Sequence, residues 1–304
     1  MNASIGIIGM GWVGSSVAIS TLHTGICNEL LLHDIRGEVA EGDAMDLAHG
    51  ASFYPPAAVR TASVEEMRRC SAVVVSAGRG GRPGETRLDL LRDNAATIRH
   101  IGTTLAGFGG VIVVVTNPVD VLTFAMREAS GLPPARVIGT GTMLDTTRLR
   151  QRLGEELRID PRSIHAQVVG EHGDSEVALW SGARAGGTPL RKWPGWSSAR
   201  EKEISGEVRT AAYEIIRRKG TTNHAIGLVT AALLKWTLRG DRRVLTVSRV
   251  HEEVEGIRDV ALSLPAVVTT GGAEQVIVPE MSGEERSALR QSAEVLRKAV
   301  DSIG

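Results

Sequence analysis

Residues 170–175 read GEHGDS: a histidine, His172, stands between Glu171 and Asp174 with glycine on either side. Such a stretch is a poor helix and a poor strand, and by composition it reads as a surface turn. A histidine also titrates near neutral pH, so a proton-transfer site is the second reading. A different chemistry is written near the start of the chain. GIIGMGWVGSS carries Gly9, Gly11 and Gly14 as GxGxxG, and Asp34 follows Gly14 by 20 residues. With 35 glycines in 304 residues, roughly half a match to that pattern is expected by chance. Its context is more specific, because the motif ends an apolar run, opens a helical one and is followed by an acid at the end of the next strand-like run. Gly9 then serves a tight turn, Gly11 a close approach to a pyrophosphate, and Gly14 close packing of helix on strand. Asp34 would bind ribose hydroxyls and repel a 2′-phosphate, which favours NAD over NADP; Arg36 nearby pulls the other way.

The elements that must position these residues alternate in the first half. Strand-like runs appear at SIGIIG (4–9), ELLLHD (29–34), AVVVSA (72–77) and VIVVVT (111–116), with helical segments at 13–24, 38–49 and 88–106 between them. The strands are apolar on both faces, as parallel strands covered by helices must be. The fold class expected is α/β: a doubly wound parallel sheet (Rossmann) as N-terminal domain, residues 1–142, and a C-terminal α+β substrate domain, residues 143–304. In the second half the alternation weakens, with helices at 199–219 and 282–302 and two runs, VLTVSRV and PAVVTT, that look antiparallel. GGTPLRKWPGWSS (186–198) reads as a surface excursion.

Composition narrows the function classes. The 35 basic and 35 acidic residues cancel, which gives no electrostatic case for nucleic acid or an anionic membrane. Cys27 and Cys70 match no metal or CxxC spacing and suit a reducing compartment. MNASIGIIGM has no basic n-region, and no apolar run is long enough for a bilayer, so a cytoplasmic location is expected.

Seven motifs in order resemble the lactate/malate dehydrogenase family, nearest its bacterial L-lactate branch: the glycine turn, GDAMDLAHG, RPGETRLDLLRDN, TNPVD, GTGTMLDTTRLR, GEHGDS and KGTTNHAIG. The resemblance covers nearly the whole chain. It implies an NAD-dependent exchange of a 2-oxo acid and an L-2-hydroxy acid, with His172 as proton donor and acceptor. Asp145 corresponds to the aspartate that orients this histidine. Arg148, at i+3 on the same helix face, corresponds to the clamp on the substrate carboxylate; without the other motifs the pair would read as a surface ion pair. Arg87 corresponds to the arginine that polarises the carbonyl. It follows a glycine-rich loop, 78–86, expected to close over substrate. Gly78 begins that loop on the cofactor side. Asn117, otherwise a turn residue before Pro118, corresponds to a contact of the nicotinamide ribose and substrate pocket.

Two positions bear on substrate and control. Six residues before the catalytic arginine the family carries Gln for lactate or Arg for malate, and here that position is Gly81, with Arg82 one place late. Thr222 matches the lactate-type residue. The expected activity is therefore L-lactate dehydrogenase, with malate dehydrogenase or a dehydrogenase of bulkier 2-oxo acids as the alternative. Arg150 and His165 match the basic pair that binds fructose 1,6-bisphosphate in allosteric relatives, where two unrelated surface charges are the plainer reading. A homotetramer is implied by the resemblance. A non-catalytic NAD-binding protein is the rival class, opposed by the set Arg87, Asp145, Arg148 and His172. An NAD- and metal-dependent glycosidase would want Cys or His ligands that the sequence does not display.

Overall fold

A computed structural model describes residues 3–80 and 86–303, without the side chain of Arg87. Six short strands form a parallel sheet: β1 (Ser4–Ile8), β2 (Glu29–His33), β3 (Ala58–Thr61), β4 (Ala72–Val75), β5 (Val111–Val114) and β6 (Val137–Gly139), in the order β3-β2-β1-β4-β5-β6. Helices α1 (Trp12–Thr24), α2 (Gly37–His49), α3 (Arg87–Thr104) and α4 (Val119–Ser130) lie between them in sequence. The order reverses between β1 and β4, which places a crevice at their carboxyl ends.

Alternation along the strands divides the core. Val73, Val75, Ile112 and Val114 join one apolar cluster with Ile98 of α3 and Leu122 of α4. Val74, Val111, Val113, Ile5 and Ile7 join a second cluster with Val17 and Leu22 of α1. Successive strand side chains point to opposite faces, so burial of both sets is why these runs are apolar throughout.

The second half begins with α5 (Met143–Leu157), followed by an antiparallel sheet of β7 (Ile164–Val169), β8 (Val177–Ala185) and the two-residue β9 (Thr188–Pro189). Next come α6 (Ser198–Lys219) and α7 (His224–Arg239). The chain ends with β10 (Arg243–His251), β11 (Val260–Thr269), β12 (Gly272–Val276) and α8 (Gly283–Asp301). β10 and β11 are antiparallel, yet they do not form a sheet of their own. Ser248 of β10 pairs with Gly139 of β6, so β10, β11 and β12 continue the first sheet to nine strands across the expected 142/143 boundary. The stretch 186–198 is also tied down more than its composition suggests. Leu190 is fully buried, and Trp196 packs 5.9 Å from Trp180 and donates its indole N–H to Glu201 at 3.1 Å.

Candidate functional site

The crevice between β1 and β4 opens into a cleft of about 890 Å³ lined by Gly9, Gly11, Asp34, Gly78 and residues of α3. Each glycine of the turn has a separate spatial reason. Gly9 has φ +97°, and a Cβ there would meet Ala77 N at 2.4 Å. A Cβ on Gly14 would lie 1.9 Å from Gly9 O, whereas one on Gly11 would meet nothing within 4 Å. Turn and helix packing thus need Gly9 and Gly14, and the space over Gly11 is open. Gly11 is also the N-cap of α1, whose first turn has no acid to occupy its free N–H groups. An anion fits such an end. Asp34 accepts Met10 N–H at 2.8 Å and Arg36 N–H at 2.9 Å, which fixes the carboxylate at the cleft beside the turn. These features fit a dinucleotide. Arg36 Nε stands 3.8 Å from Asp34, with its side chain largely exposed.

A polar centre lies beyond the lining of this cleft, past the end of β5. The path is continuous: Thr116 donates to Ala77 O at 2.8 Å, Asn117 follows as an exposed residue, and α4 begins at Val119. On α5, Asp145 and Arg148 share a face as their spacing predicts, and Arg148 Nη1 lies 2.7 Å from Asp145 Oδ1. The other oxygen, Asp145 Oδ2, lies 2.6 Å from His172 Nδ1. One buried carboxylate therefore holds both cations. Burial alone would lift its pKa, but the charges of His172 and Arg148 hold it below the usual carboxylate range. Burial would likewise lower the pKa of His172. The Asp145 carboxylate, by charge and hydrogen bond, with Asp120 adding to it, outweighs burial and pushes the ring up to about 9.

The acids adjacent to His172 in sequence point elsewhere. Glu171 takes the Ser175 hydroxyl and its N–H, and Asp174 accepts Tyr213 Oη at 3.0 Å. The GEHGDS backbone is pinned at several points. Gly170 exchanges two 2.9 Å hydrogen bonds with Ser263 of β11, and Glu171 N–H donates to Ser292 of α8 at 2.8 Å.

Other expected residues are placed as follows. Arg87 opens α3, behind a Thr86–Asp89 capping box; its side chain, with Gly81 and Arg82, lies outside the described residues. Arg79 is engaged by Asp93 at 2.6 Å. Thr222 is half-buried in the loop before α7, where Asn223 donates to Ser16 of α1 at 2.9 Å and so ties this loop to the glycine-turn helix. Arg150 and His165 line a separate cavity of about 260 Å³ with Gln167 and Glu280. Arg150 Nε donates to Ala166 O at 2.9 Å, and its pKa is lowered by burial and then by the charge of Arg243.

Two buried acids here have no counterpart among the residues singled out from the sequence. Asp120 sits in the first turn of α4 and accepts His172 N–H at 2.7 Å. Burial pushes its pKa up to about 6. Glu176, four residues after His172, is pushed up to about 8, first by burial and then by Asp145. Asp120 ends the TNPVD motif, and Glu176 directly follows GEHGDS. An acid placed among apolar residues (VDVLTF, SEVALW) was the available signal.

Sheet order, glycine turn and cleft define a doubly wound protein of the dinucleotide-binding class, with a His–Asp–Arg centre next to its cleft. The family description "lactate/malate dehydrogenase, NAD binding domain" matches residues 3–139, and "lactate/malate dehydrogenase, alpha/beta C-terminal domain" matches residues 142–303. An L-lactate dehydrogenase of Kosmotoga olearia is 44% identical over 98% of this chain and 96% of its own length. One from Thermus aquaticus is 41% identical over 99% of each chain. The crystal structure of a minor L-lactate dehydrogenase from Enterococcus mundtii superposes with a TM-score of 0.97 at 37% identity, covering 100% of this chain and 99% of that one. The chain belongs to the lactate/malate dehydrogenase family.

Proposed function

We propose that this protein is an NAD-dependent L-lactate dehydrogenase, reducing pyruvate to L-lactate, built from a nucleotide domain (1–142) and a substrate domain (143–304). The carrying observation is the shared carboxylate, Asp145, with His172 Nδ1 at 2.6 Å on one oxygen and Arg148 at 2.7 Å on the other. NAD, when bound, supplies or accepts the hydride; the chain's own residues manage the proton and the substrate charge. His172 gives Nδ1–H to Asp145, which leaves Nε2 to face the substrate oxygen. With its pKa near 9, the ring is protonated at neutral pH and ready to donate. Arg148 keeps N–H groups free of Asp145 for a substrate carboxylate. Arg87 has the role of polarising the carbonyl, and Asn117 and Thr222 of bordering the pocket.

Selection of NAD over NADP rests on Asp34, whose charge opposes a 2′-phosphate at the cleft. Support for a homo-oligomer, a tetramer by family likeness, comes from large apolar side chains left in solvent: Trp12 of α1, Met45 of α2, Phe53 and Leu228 of α7. Fructose 1,6-bisphosphate binding is supported by Arg150 and His165 lining one cavity, with the charge of Arg243 acting on Arg150. A cytoplasmic site of action is supported by two free, buried cysteines. No helix of the described residues is long and apolar enough to cross a membrane.

Substrate choice turns on Gly81, which lies outside the described residues. A glycine there provides neither the amide of a lactate-type loop nor the cation that would meet a second carboxylate. Room over the substrate favours larger 2-oxo acids by about 1–3 kcal/mol per methylene in a shaped pocket. Initial rates with pyruvate, oxaloacetate and bulkier 2-oxo acids test the reading. Pyruvate should be accepted and oxaloacetate should be poor; Gly81→Arg should raise oxaloacetate kcat/KM and Gly81→Gln should sharpen pyruvate selectivity. Wild-type preference for oxaloacetate by about tenfold, 1.4 kcal/mol, would instead make malate the product.

A further inference from the structure

We infer that Asp120 is a positioning residue for His172, holding its main chain as Asp145 holds its ring. The inference rests on the dehydrogenase reading above. His172 sits in a glycine-flanked turn, which by itself fixes no backbone conformation. Asp120 Oδ2 accepts His172 N–H at 2.7 Å, and Asp145 Oδ2 takes the ring at 2.6 Å, so the histidine is held at both ends by carboxylates from different helices, α4 and α5.

The placement of Asp120 is costly for any lesser purpose. It is 2% exposed, with the His172 N–H at 2.7 Å on Oδ2 and the Ser248 hydroxyl of β10 as the second group that favours its charge. A carboxylate this deeply buried is costly unless hydrogen bonds or nearby charge compensate it. The first turn of α4 offsets part of that cost, because a helix N-terminus favours negative charge. Burial raises its pKa, while the Ser248 hydroxyl of β10 and the His172 N–H lower it.

Position and charge are separable effects of this residue. The groups acting on His172 are Asp145 and Arg148 from α5 and Asp120 from α4; on its own segment Glu176 faces it and Glu171 acts on Asp120, and Arg209 of α6 acts through Glu176. Asp120 is the second anion that favours the protonated ring. Replacement by Asn keeps an oxygen for the N–H and removes the charge, and replacement by Ala removes both.

The test is a set of three full-length proteins: wild type, Asp120→Asn and Asp120→Ala. Two measurements are made, pyruvate kcat/KM and the titration of the His172 ring by NMR. Asp120→Ala should lose roughly 10- to 100-fold in kcat/KM, as for a buried donor left unpaired, and Asp120→Asn should recover most of that loss. The ring midpoint should fall by about half a unit or more in Asp120→Asn. Equal impairment of the two variants, no impairment in Ala, an unmoved ring midpoint in Asn, or an Asn variant that does not fold would each overturn the inference. The ring titration needs no turnover. Wild-type protein inert toward every 2-oxo acid would defeat the dehydrogenase reading, while the titration still judges Asp120.

Discussion

His172 Nδ1 and Asp145 Oδ2 lie 2.6 Å apart although 27 residues separate them in the chain. The contact exists because α5 packs on β7, with Val168 N–H donating to the Thr146 hydroxyl at 3.0 Å, so the turn that follows β7 returns beside Asp145. Its consequence is electrical: a ring that burial would strip of its proton keeps it up to a pH of about 9.

Pyruvate reduction needs the protonated ring. Its kcat/KM should therefore be level below about pH 9 and fall as pH rises through that value, while lactate oxidation should climb over the same range. The stability contributed by the pair has the same sign. It is full below the ordinary histidine value of 6.5 and is lost as pH rises through about 9. In Asp145→Asn the alkaline limb of reduction should move to lower pH, with a loss in kcat on the order of 10²–10⁴-fold. A pH–rate profile with an unmoved limb would separate the two residues functionally.

Asp34→Ser should narrow the preference for NADH over NADPH. The carboxylate is held at the cleft by two backbone N–H groups, so its charge stands where a 2′-phosphate would lie. Comparison of kcat/KM for both cofactors in wild type and variant checks this; equal values in the wild type would contradict it.

Arg150→Gln should abolish any response of pyruvate saturation to fructose 1,6-bisphosphate. Arg150 and His165 share one cavity, and the bisphosphate would bridge that cavity between two copies of the chain. Saturation curves with and without effector decide it. A shift that is the same in wild type and variant, or absent from both, excludes this cavity as a control site.

The parts of this molecule that were legible in the sequence are local. Gly9, Gly11, Gly14 and Asp34 stand within one strand–helix–strand unit, and their spacing carries the geometry directly. Asp145 and Arg148 are three apart on a helix, so a shared face follows from 3.6 residues per turn. What was not legible depends on distant partners. The antiparallel look of β10 and β11 gave no sign that Ser248 would pair with Gly139 and continue the first sheet. Asp120 is an acid within the apolar run VDVLTF, and that run does not say which distant group it meets. Its partner there is the main chain of His172, 52 residues later.

The most direct test of the central claim is pyruvate-dependent oxidation of NADH by wild type and His172→Ala, with NADH affinity measured on both by fluorescence. The wild type should turn over pyruvate, and the variant should lose on the order of 10²–10⁴-fold in kcat while binding NADH as before, because the glycine turn and Asp34 proposed to hold the cofactor are unchanged. Near-wild-type kcat in His172→Ala would contradict the account, since the proton would then come from another group.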